Sequence, residues 1–253
     1  MPTPIPPCCL KSFPWTGTPT GTETSLSSLP TYTTGTNRRS ALLFIPDLLG
    51  WRFPNARLLA DAFAAEANLT VFMPDFFAGE ELDRDAILEG RWGDLDLLDF
   101  SERNARGVRE GAVVAAAREL RARFERVGAV GYCYGGWAVL RLGAREEGGL
   151  LDCGVVGHPS WVVEGDFDGF GNVPLQILAP EVDGQFTDEL KGYAFRKLVL
   201  EKKGDDGVPV DWVHYPGVAH GCLTKGDENV KGEREAMVKG KDAAVGWLKQ
   251  WLS

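Results

Sequence analysis

The sequence of 253 residues lacks the long hydrophobic runs and targeting signals that mark membrane and secreted proteins. No apolar run approaches the ~18 residues that a membrane-spanning helix requires. The N-terminus has neither the basic start nor the apolar stretch of a signal peptide, and the C-terminus carries no lipidation or peroxisomal signal. These absences predict a soluble intracellular protein, and we expect it to be cytoplasmic.

Cysteines are few, and their spacing is not that of a metal site. The chain has five, scattered except for the adjacent Cys8 and Cys9, and no pair has the C-x-x-C spacing. The sequence therefore predicts neither a disulfide framework nor a zinc site. We interpret Cys153 and Cys222 as packing residues and leave the roles of Cys8 and Cys9 open.

Basic residues are too few for a protein that binds nucleic acid. The chain has 27 lysines and arginines against 36 aspartates and glutamates, a formal net charge of -9. A phosphate backbone requires a basic face, so we expect no nucleic-acid partner, and the same charge gives no support for an anionic membrane surface. Hydrophobic residues make up 44% of the chain, enough for a full globular core.

The chain is predicted to consist of an N-terminal arm and one domain. Residues 1–37 are rich in Pro, Thr, Ser and Gly, and we expect them to wrap the domain, with a hairpin within residues 21–33. Residues 38–253 alternate apolar runs with helical periodicity, which predicts a mostly parallel, doubly wound α/β sheet with helices on both faces. Strands are predicted at 41–45, 70–73, 129–132, 151–156, 175–178 and 208–215, and helices at 55–68, 101–127, from about 137, 187–200 and 228–252, with Asn55 and Ser101 as N-caps.

Cys133 is the candidate nucleophile. It lies between a predicted strand and a predicted helix, in the run GYCYGG of residues 131–136. This run has the form of the G-x-S-x-G elbow with cysteine at the nucleophile position, a tight turn beside which only glycines fit. The helix N-terminus behind the turn favours the thiolate over the thiol. A buried free cysteine in an ordinary turn is the alternative interpretation.

A candidate acid and a candidate base follow Cys133 in the chain. Asp183 comes after the strand predicted at 175–178, and His220 lies in a glycine-flanked loop after the strand predicted at 208–215. The order nucleophile, acid, base is that of the α/β-hydrolase triads. Glu181 competes with Asp183 for the role of the acid, and we favour Asp183 by its position in the loop. A surface carboxylate and a helix-capping histidine are the alternative interpretations.

Taken together, these segments resemble the dienelactone hydrolase family. The resemblance is carried by residues 45–50, 74–79, 131–136 and 216–221 and by Asp183. The arm, at residues 8–10 and 17–21, is similar to the eukaryotic, chiefly fungal, branch of that family. The resemblance implies an α/β-hydrolase fold and cofactor-free hydrolysis of an ester or lactone. It also implies that Cys133 is the nucleophile, His220 the base and Asp183 the residue that orients His220.

The same resemblance implies three further roles near the nucleophile. The backbone N–H groups of Leu48 and Tyr134 would form the oxyanion hole. Asp47 stands where the family has a glutamate that touches the nucleophilic thiol and helps to deprotonate it, and the aspartate is one methylene shorter. A turn-forming aspartate after Pro46 is the alternative interpretation of Asp47.

The residues expected to bind substrate depart from the bacterial pattern of the family. Bacterial members hold a substrate carboxylate with arginines, one of them a few residues beyond the histidine, where this chain has Lys225 and no arginine. We therefore do not expect a dienelactone substrate. We interpret Arg91, Arg103 and Arg106 as solvated helix-surface residues. Aromatic side chains predict an apolar pocket, and the candidate substrate-binding residues are Trp51, Phe77, Trp92 and Trp161, with Phe76 and Phe186 as further aromatic candidates.

The sequence therefore predicts a hydrolase that opens a lactone or carboxylic ester through a Cys-His-Asp triad and an acyl-enzyme. We expect a small-molecule ester or lactone as its partner and neither a cofactor nor a metal, and we leave a homodimer open. One alternative is a biosynthetic cyclase or isomerase that uses the same pocket without net hydrolysis. Another is a non-catalytic ligand-binding or thiol-sensing protein, because fold alone does not establish function.

Overall fold

The predicted α/β sheet forms the centre of the computed structural model, which describes residues 5–171, 173–201 and 207–253. Its strands are β1 (Thr22–Leu26), β2 (Leu29–Thr34), β3 (Ser40–Ile45), β4 (Thr70–Pro74), β5 (Arg126–Tyr132), β6 (Cys153–Gly157), β7 (Leu175–Val182) and β8 (Val210–Ala219). Among the described residues they form one sheet in the order β1-β2-β4-β3-β5-β6-β7-β8. The first three strands in this order pair antiparallel, and all later neighbours pair parallel. The predicted strands and the predicted hairpin are confirmed.

Helices connect the parallel strands. They are α1 (Pro54–Ala67), α2 (Arg84–Leu88), α3 (Leu97–Arg103), α4 (Arg106–Arg123), α5 (Gly135–Leu142), α6 (Glu164–Gly169), α7 (Asp188–Phe195), α8 (Cys222–Lys225) and α9 (Lys231–Leu252). A π-helical turn over Arg196–Glu201 extends α7, so the helix predicted at 187–200 is confirmed with a change of geometry. In the described part of the chain, no helix combines the length and the hydropathy that crossing a membrane requires.

Strand β3 shows how the sheet separates two hydrophobic clusters. All six of its residues are buried, as predicted for a strand covered on both faces. Leu43 and Ile45 belong to the cluster that also contains α4, α5 and Cys133. Leu42 and Phe44 belong to the cluster on the other face, which contains α1 and α9. Alternate residues of one strand therefore supply both layers of the core.

Two predicted helix starts are wrong. Asn55 lies inside α1, which begins after Phe53 with Pro54, and its buried amide bonds Phe13, Trp15 and Thr224. The amide thus joins distant segments, which a local pattern does not reveal. The helix predicted over 101–127 is two helices, α3 and α4. The break lies at Asn104, whose side chain donates to the carbonyl of Phe100, so the chain re-enters a helix only at Arg106.

The predicted arm has two parts in the structure. Its second part is the hairpin β1–β2, which extends the sheet by pairing with β4. Its first part begins with a 3₁₀ helix over Pro7–Cys9 and is held to α8. The backbone N–H of Phe13 donates to the carbonyl of Lys225 at 2.9 Å, and the Trp15 indole donates to the carbonyl of Gly226 at 3.0 Å. The residues after His220 therefore anchor the start of the chain.

Candidate active site

Cys133 occupies a strained turn directly after β5. Its φ is 49°, in the left-handed region that a residue with a side chain rarely adopts. The surrounding glycines make room for this turn. A Cβ on Gly131 would lie 2.2 Å from the carbonyl oxygen of Gly135, and a Cβ on Gly135 would lie 2.1 Å from that of Ile45. The glycines are thus required by close backbone contacts, as in a nucleophile elbow.

The structure brings Asp183, and not Glu181, to His220. Both carboxylate oxygens of Asp183 lie 2.9 Å from Nδ1 of His220. The backbone N–H groups of Gln185 and Phe186 donate to the same carboxylate and hold it in place. Glu181 instead accepts from the backbone N–H of Gly217. Because the carboxylate accepts the Nδ1 proton, the Nε2 atom of His220 is left to face the thiols.

Two thiols and a hydroxyl surround Nε2 of His220. Ser160 Oγ lies 3.4 Å from this nitrogen and 3.3 Å from Sγ of Cys133. Cys9 Sγ lies 3.5 Å from the same nitrogen and 3.7 Å from Sγ of Cys133. Ligand atoms of Cys9, Cys133 and His220 all lie within 4.8 Å of one another, so these three side chains are a group that could hold a metal ion. All four residues are buried, which leaves the cluster closed to solvent.

The charges around the cluster favour a thiolate on Cys133 and a proton on His220. Burial raises the pKa of Cys133, but the Cys9 hydrogen bond, the His220 charge and the Lys225 charge together bring that pKa well below its usual value. Burial lowers the pKa of His220, but the Cys133 thiolate and the Asp183 carboxylate together raise it to about 10. The opposite directions of these two shifts favour an ion pair of Cys133 and His220.

Cys9 stays a thiol beside this ion pair. The hydrogen bonds to Cys133 and to Cys8, together with burial, raise the pKa of Cys9 far above its usual value. The same hydrogen bond from Cys9 lowers the pKa of the half-buried Cys8 to about 6. Cys9 therefore couples the ionisation of Cys133 to that of Cys8.

Asp47 and Lys225 form a buried pair beneath the cluster. The Asp47 carboxylate accepts from the Leu49 N–H and from the Thr224 hydroxyl, each at 2.9 Å. Lys225 Nζ lies 4.0 Å from Asp47 and donates to the backbone carbonyl of Cys9. The contacts described for Asp47 are thus with these neighbours rather than with the nucleophile candidate. Asp47 thus contacts Lys225, whose charge lowers the pKa of Cys133.

The two candidate oxyanion donors lie in turns next to the thiol. Tyr134 is the residue before α5, and Leu48 follows β3 at the adjacent strand end. In these turns the N–H of Gly136 donates to the carbonyl of Cys133, and the N–H of Gly50 donates to the carbonyl of Asp47. The N–H groups of Leu48 and Tyr134 donate in neither of these described turns. Both groups are thus available to a substrate oxygen.

The predicted aromatic residues divide into two groups. The rings of Phe77 and Trp161 lie 4.9 and 5.0 Å from the ring of Tyr134, in the hydrophobic cluster of Cys133. Trp51 is buried in the cluster on the other face of the sheet. Trp92 is half-buried in a 3₁₀ turn, and its indole donates to the carbonyl of Ile87. The structure therefore places Phe77 and Trp161 beside the site, and it does not place Trp51 or Trp92 there.

The further aromatic candidates also lie in the cluster of Cys133. Phe76 and Phe186 are both buried there, and Phe186 donates its backbone N–H to Asp183. The arginines have acidic partners of their own. Arg91 pairs with Glu89 and Asp94, Arg103 with Glu80 and Asp99, and Arg106 with Asp166.

A second histidine, His158, lies against His220. It is fully buried after β6, and the two ring centroids are 4.8 Å apart. Burial lowers the pKa of His158 to about 3, so this ring is neutral. Neither of its ring nitrogens has a hydrogen-bond partner among the described residues. His158 is therefore an uncharged side chain packed against His220, and it adds no second positive charge to the site.

Sequence reasoning missed three members of the site. Ser160 follows β6, and the rule that ligands gather at the carboxyl ends of strands could have found it. At Lys225, sequence reasoning considered only that the family arginine is missing. A lysine so close to His220 in the chain was itself a signal of a site residue. Cys9 comes from the arm, and only its resemblance to the fungal branch hinted at a role.

Comparison with known proteins shows the family of this chain. Residues 29–252 match the model of the "Dienelactone hydrolase family". The chain is 30% identical over 253 residues to "Hydrolase tropI" of Talaromyces stipitatus, across 97% of this chain and 96% of that protein. It is 26% identical over 255 residues to "Dienlactone hydrolase 1" of Gibberella moniliformis, across 97% and 94%. Both relatives are fungal, which agrees with the resemblance of the arm.

A solved structure shows the fold independently of close sequence identity. The crystal structure of a putative dienelactone hydrolase from Klebsiella pneumoniae aligns with a TM-score of 0.70 at 16% identity. The alignment covers 92% of this chain and 99% of that one. The predicted α/β-hydrolase fold is therefore confirmed.

Proposed function

This chain belongs to the dienelactone hydrolase family and is an ester or lactone hydrolase, and from that premise we propose that Cys133 is its nucleophile. His220 then acts as the acid and base, and Asp183 orients His220. The observation that carries the proposal is geometric: Cys133 lies in the glycine-flanked turn with φ 49°, Ser160 Oγ is within 3.4 Å of both Cys133 Sγ and His220 Nε2, and Asp183 holds Nδ1 of His220 at 2.9 Å. The lowered pKa of Cys133 supports the same assignment, because it favours the nucleophilic thiolate.

In the first half of the reaction, the Cys133 thiolate attacks the carbonyl carbon of the ester. A C–S bond forms as the carbonyl π electrons move onto oxygen, where the N–H groups of Leu48 and Tyr134 bind the negative charge. Loss of one such donor typically costs ~10²–10³ in rate. The C–O bond then breaks, and Nε2–H of His220 gives its proton to the leaving alkoxide.

In the second half, water releases the acyl group from Cys133. Neutral His220 takes a proton from water through Nε2 as the water oxygen attacks the thioester carbon. The C–S bond breaks, the thiolate leaves, and the ion pair with protonated His220 is restored. Asp183 keeps the proton on Nδ1 throughout, so that the same nitrogen, Nε2, acts in both halves.

We propose an uncharged aromatic ester or lactone as the substrate class. Lys225, at the place of the family arginine, is fully buried and donates to the carbonyl of Cys9, so it is occupied. Arg106 forms a two-pronged ion pair with Asp166 and is likewise occupied. The rings of Phe77 and Trp161 pack against the ring of Tyr134, the residue after Cys133. An aromatic acyl or alcohol group is the ligand that such rings favour.

The proposal also requires the site to open. The side chains of His220 and Asp183 are 0% exposed, and Cys9 contacts both Cys133 and His220. A carbonyl group can reach the sulfur only when Cys9 and its short helix shift away. Binding of substrate is therefore coupled to movement of the arm.

The proposal is tested by trapping the acyl-enzyme. Wild type is mixed with p-nitrophenyl acetate and quenched within one turnover, and each cysteine peptide is weighed by mass spectrometry. In a Cys8→Ser background, which removes the other reactive thiol, we expect acetylation of the Cys133 peptide, none in Cys133→Ala, and accumulation at a reduced rate in His220→Ala. Cys153→Ala is the matched control, because Cys153 is equally buried at the start of β6 and outside the cluster. Acetylation in the Cys133→Ala protein at the wild-type rate would overturn the assignment.

The mass of the product formed by the wild-type protein distinguishes hydrolysis from isomerisation. With dihydrocoumarin as a model lactone, hydrolysis yields a product heavier by one water. A product of unchanged mass would favour the isomerase alternative instead.

A further inference from the structure

Four donor atoms in the candidate active site have the arrangement of a tetrahedral zinc site. They are Sγ of Cys9, Sγ of Cys133, Nε2 of His220 and Oγ of Ser160. Zinc in proteins binds sulfur at about 2.3 Å and nitrogen at about 2.0–2.1 Å, in a tetrahedron of four ligands. Those bond lengths require ligand atoms to lie about 3.8 Å apart for two sulfurs and about 3.5 Å apart for sulfur and nitrogen.

Two edges of this cluster agree with those values. The two sulfurs of Cys9 and Cys133 are 3.7 Å apart, and Cys9 Sγ is 3.5 Å from Nε2 of His220. Ser160 Oγ lies 3.8 Å from the sulfur of Cys9, 3.3 Å from that of Cys133 and 3.4 Å from the nitrogen. The remaining edge, from Cys133 to His220, is within 4.8 Å.

The residues around the donors also suit a metal. A histidine that binds zinc donates its other ring N–H to a carboxylate, which fixes the ring and strengthens the donor. His220 has this partner already, because both carboxylate oxygens of Asp183 lie 2.9 Å from its Nδ1. Two thiolates balance the charge of a divalent cation. The nearby Lys225 is balanced by Asp47 at 4.0 Å, which leaves the cluster without an excess of positive charge.

We propose that Cys9, Cys133 and His220, with Ser160 or a water as the fourth ligand, bind one Zn²⁺ ion and thereby hold the hydrolase in a closed, inactive state. The proposal rests on the proposed function only for its inhibitory consequence. Thiolate and imidazole donors together favour zinc over calcium or magnesium, which prefer oxygen. The sequence predicted no metal, because Cys9 is 124 residues from Cys133 and no short motif joins them.

Zinc binding releases two protons to solvent. The thiol of Cys9 loses one as its S–Zn bond forms. Cys133 binds as thiolate and His220 through neutral Nε2, so these two groups together release the one proton that they share, whichever of them holds it. Zinc then joins the arm to the nucleophile, so an ester carbonyl cannot reach the sulfur. No redox step is involved, and a chelator reverses the process.

Cobalt titration tests the site directly, because four-coordinate Co²⁺ with thiolate ligands absorbs intensely and can be displaced by Zn²⁺. Metal-free wild type, kept reduced with a phosphine, is titrated with Co²⁺. We expect one equivalent to give thiolate-to-cobalt charge-transfer absorption that one equivalent of Zn²⁺ removes. Cys9→Ser and His220→Ala should lose this absorption. Cys8→Ser, which changes the neighbouring thiol, should keep it, and Ser160→Ala should keep it with water in place of the hydroxyl.

Two results would overturn the proposal. One is the absence of intense cobalt absorption in wild type, and the other is an unchanged spectrum in Cys9→Ser. Circular dichroism of each variant checks that its fold is intact. The Asp183→Asn variant gives a second measurement, since loss of such a partner costs about 10–100-fold in metal affinity. The spectrum does not depend on ester hydrolysis, so failure of the proposed function and failure of the metal site are separate results.

Discussion

The sulfur of Cys9 lies 3.7 Å from the sulfur of Cys133, although 124 residues separate them in the chain. The first of these thiols belongs to the arm and the second to the turn after β5. The hydrogen bond between the two sulfurs contributes to the lowered pKa of Cys133. The start of the chain is thus part of the electrostatics of the site.

Replacing Cys9 by alanine should raise the pKa of Cys133. A hydrogen bond to a charged group contributes about 1.5–3 kcal/mol, and one pKa unit corresponds to about 1.36 kcal/mol, so we expect a rise of about one to two units. Since a thiol ionises above its pKa, the acidic limb of the kcat/KM profile for an aryl ester should move to higher pH. Cys8→Ala is the matched control. An acidic limb that stays in place would show that Cys9 does not act on the thiolate.

Asp183 should be essential for catalysis, and Glu181 should not be. Asp183→Asn leaves the geometry nearly unchanged but removes the acceptor that fixes the Nδ1 proton, and in serine triads the same change costs about 10⁴ in kcat. We expect a fall of at least about 10²-fold here, because the Cys133 thiolate requires less general-base assistance than a serine. Glu181→Gln, which keeps an acceptor for the Gly217 N–H, should retain wild-type kcat. Equal effects of the two variants would contradict the assignment of the acid.

Lys225 should contribute to the stability of the fold as well as to the low pKa of Cys133. Its ammonium is fully buried between Asp47 and the carbonyl of Cys9. Removing one member of a buried pair typically costs about 3–5 kcal/mol, so Lys225→Met should lower the free energy of unfolding by about 3 kcal/mol. Urea denaturation measures this change.

The exposed Lys11, which pairs with Glu233, offers the control for Lys225. Lys11→Met should change stability by no more than about 0.5 kcal/mol, since exposed pairs contribute little. The double variant Lys225→Met with Asp47→Asn should recover part of the loss, because it leaves no unpaired charge. A double variant less stable than Lys225→Met would contradict the pairing.

Trp161 should affect the binding of aryl substrates more than Trp92 does. The ring of Trp161 lies 5.0 Å from that of Tyr134 beside the nucleophile candidate, whereas Trp92 contacts Ile87. An aromatic pair contributes about 0.5–1.5 kcal/mol beyond the area that it buries, so Trp161→Leu should raise KM for an aryl ester by about 3–10-fold. Trp92→Leu should leave KM unchanged. Steady-state kinetics on an aryl and an alkyl ester separates an aromatic contact from a general defect.

The sequence predicted the sheet and the order of the three site residues because both depend on local patterns. Apolar runs such as β3 define buried strands, and glycine spacing defines the turn at Cys133. The residues that were missed depend on contacts between distant segments. Asn55 has the sequence pattern of a helix cap, yet its side chain forms hydrogen bonds with Phe13, Trp15 and Thr224. Cys9 is held in the site by the hydrogen bond from Lys225 to its carbonyl. Such contacts follow from the path of the arm, which no local pattern encodes.

The pH dependence of alkylation at Cys133 tests the central claim most directly. Iodoacetamide labelling is followed by mass spectrometry in a Cys8→Ser background, because the half-buried Cys8, with a pKa of about 6, would otherwise be labelled as well. A thiolate at Cys133 predicts site-selective labelling that persists well below pH 7 and is lost when His220→Ala is added. Labelling that rises only near the pKa of an ordinary thiol, at the same rate with and without His220, would contradict an activated Cys133–His220 pair.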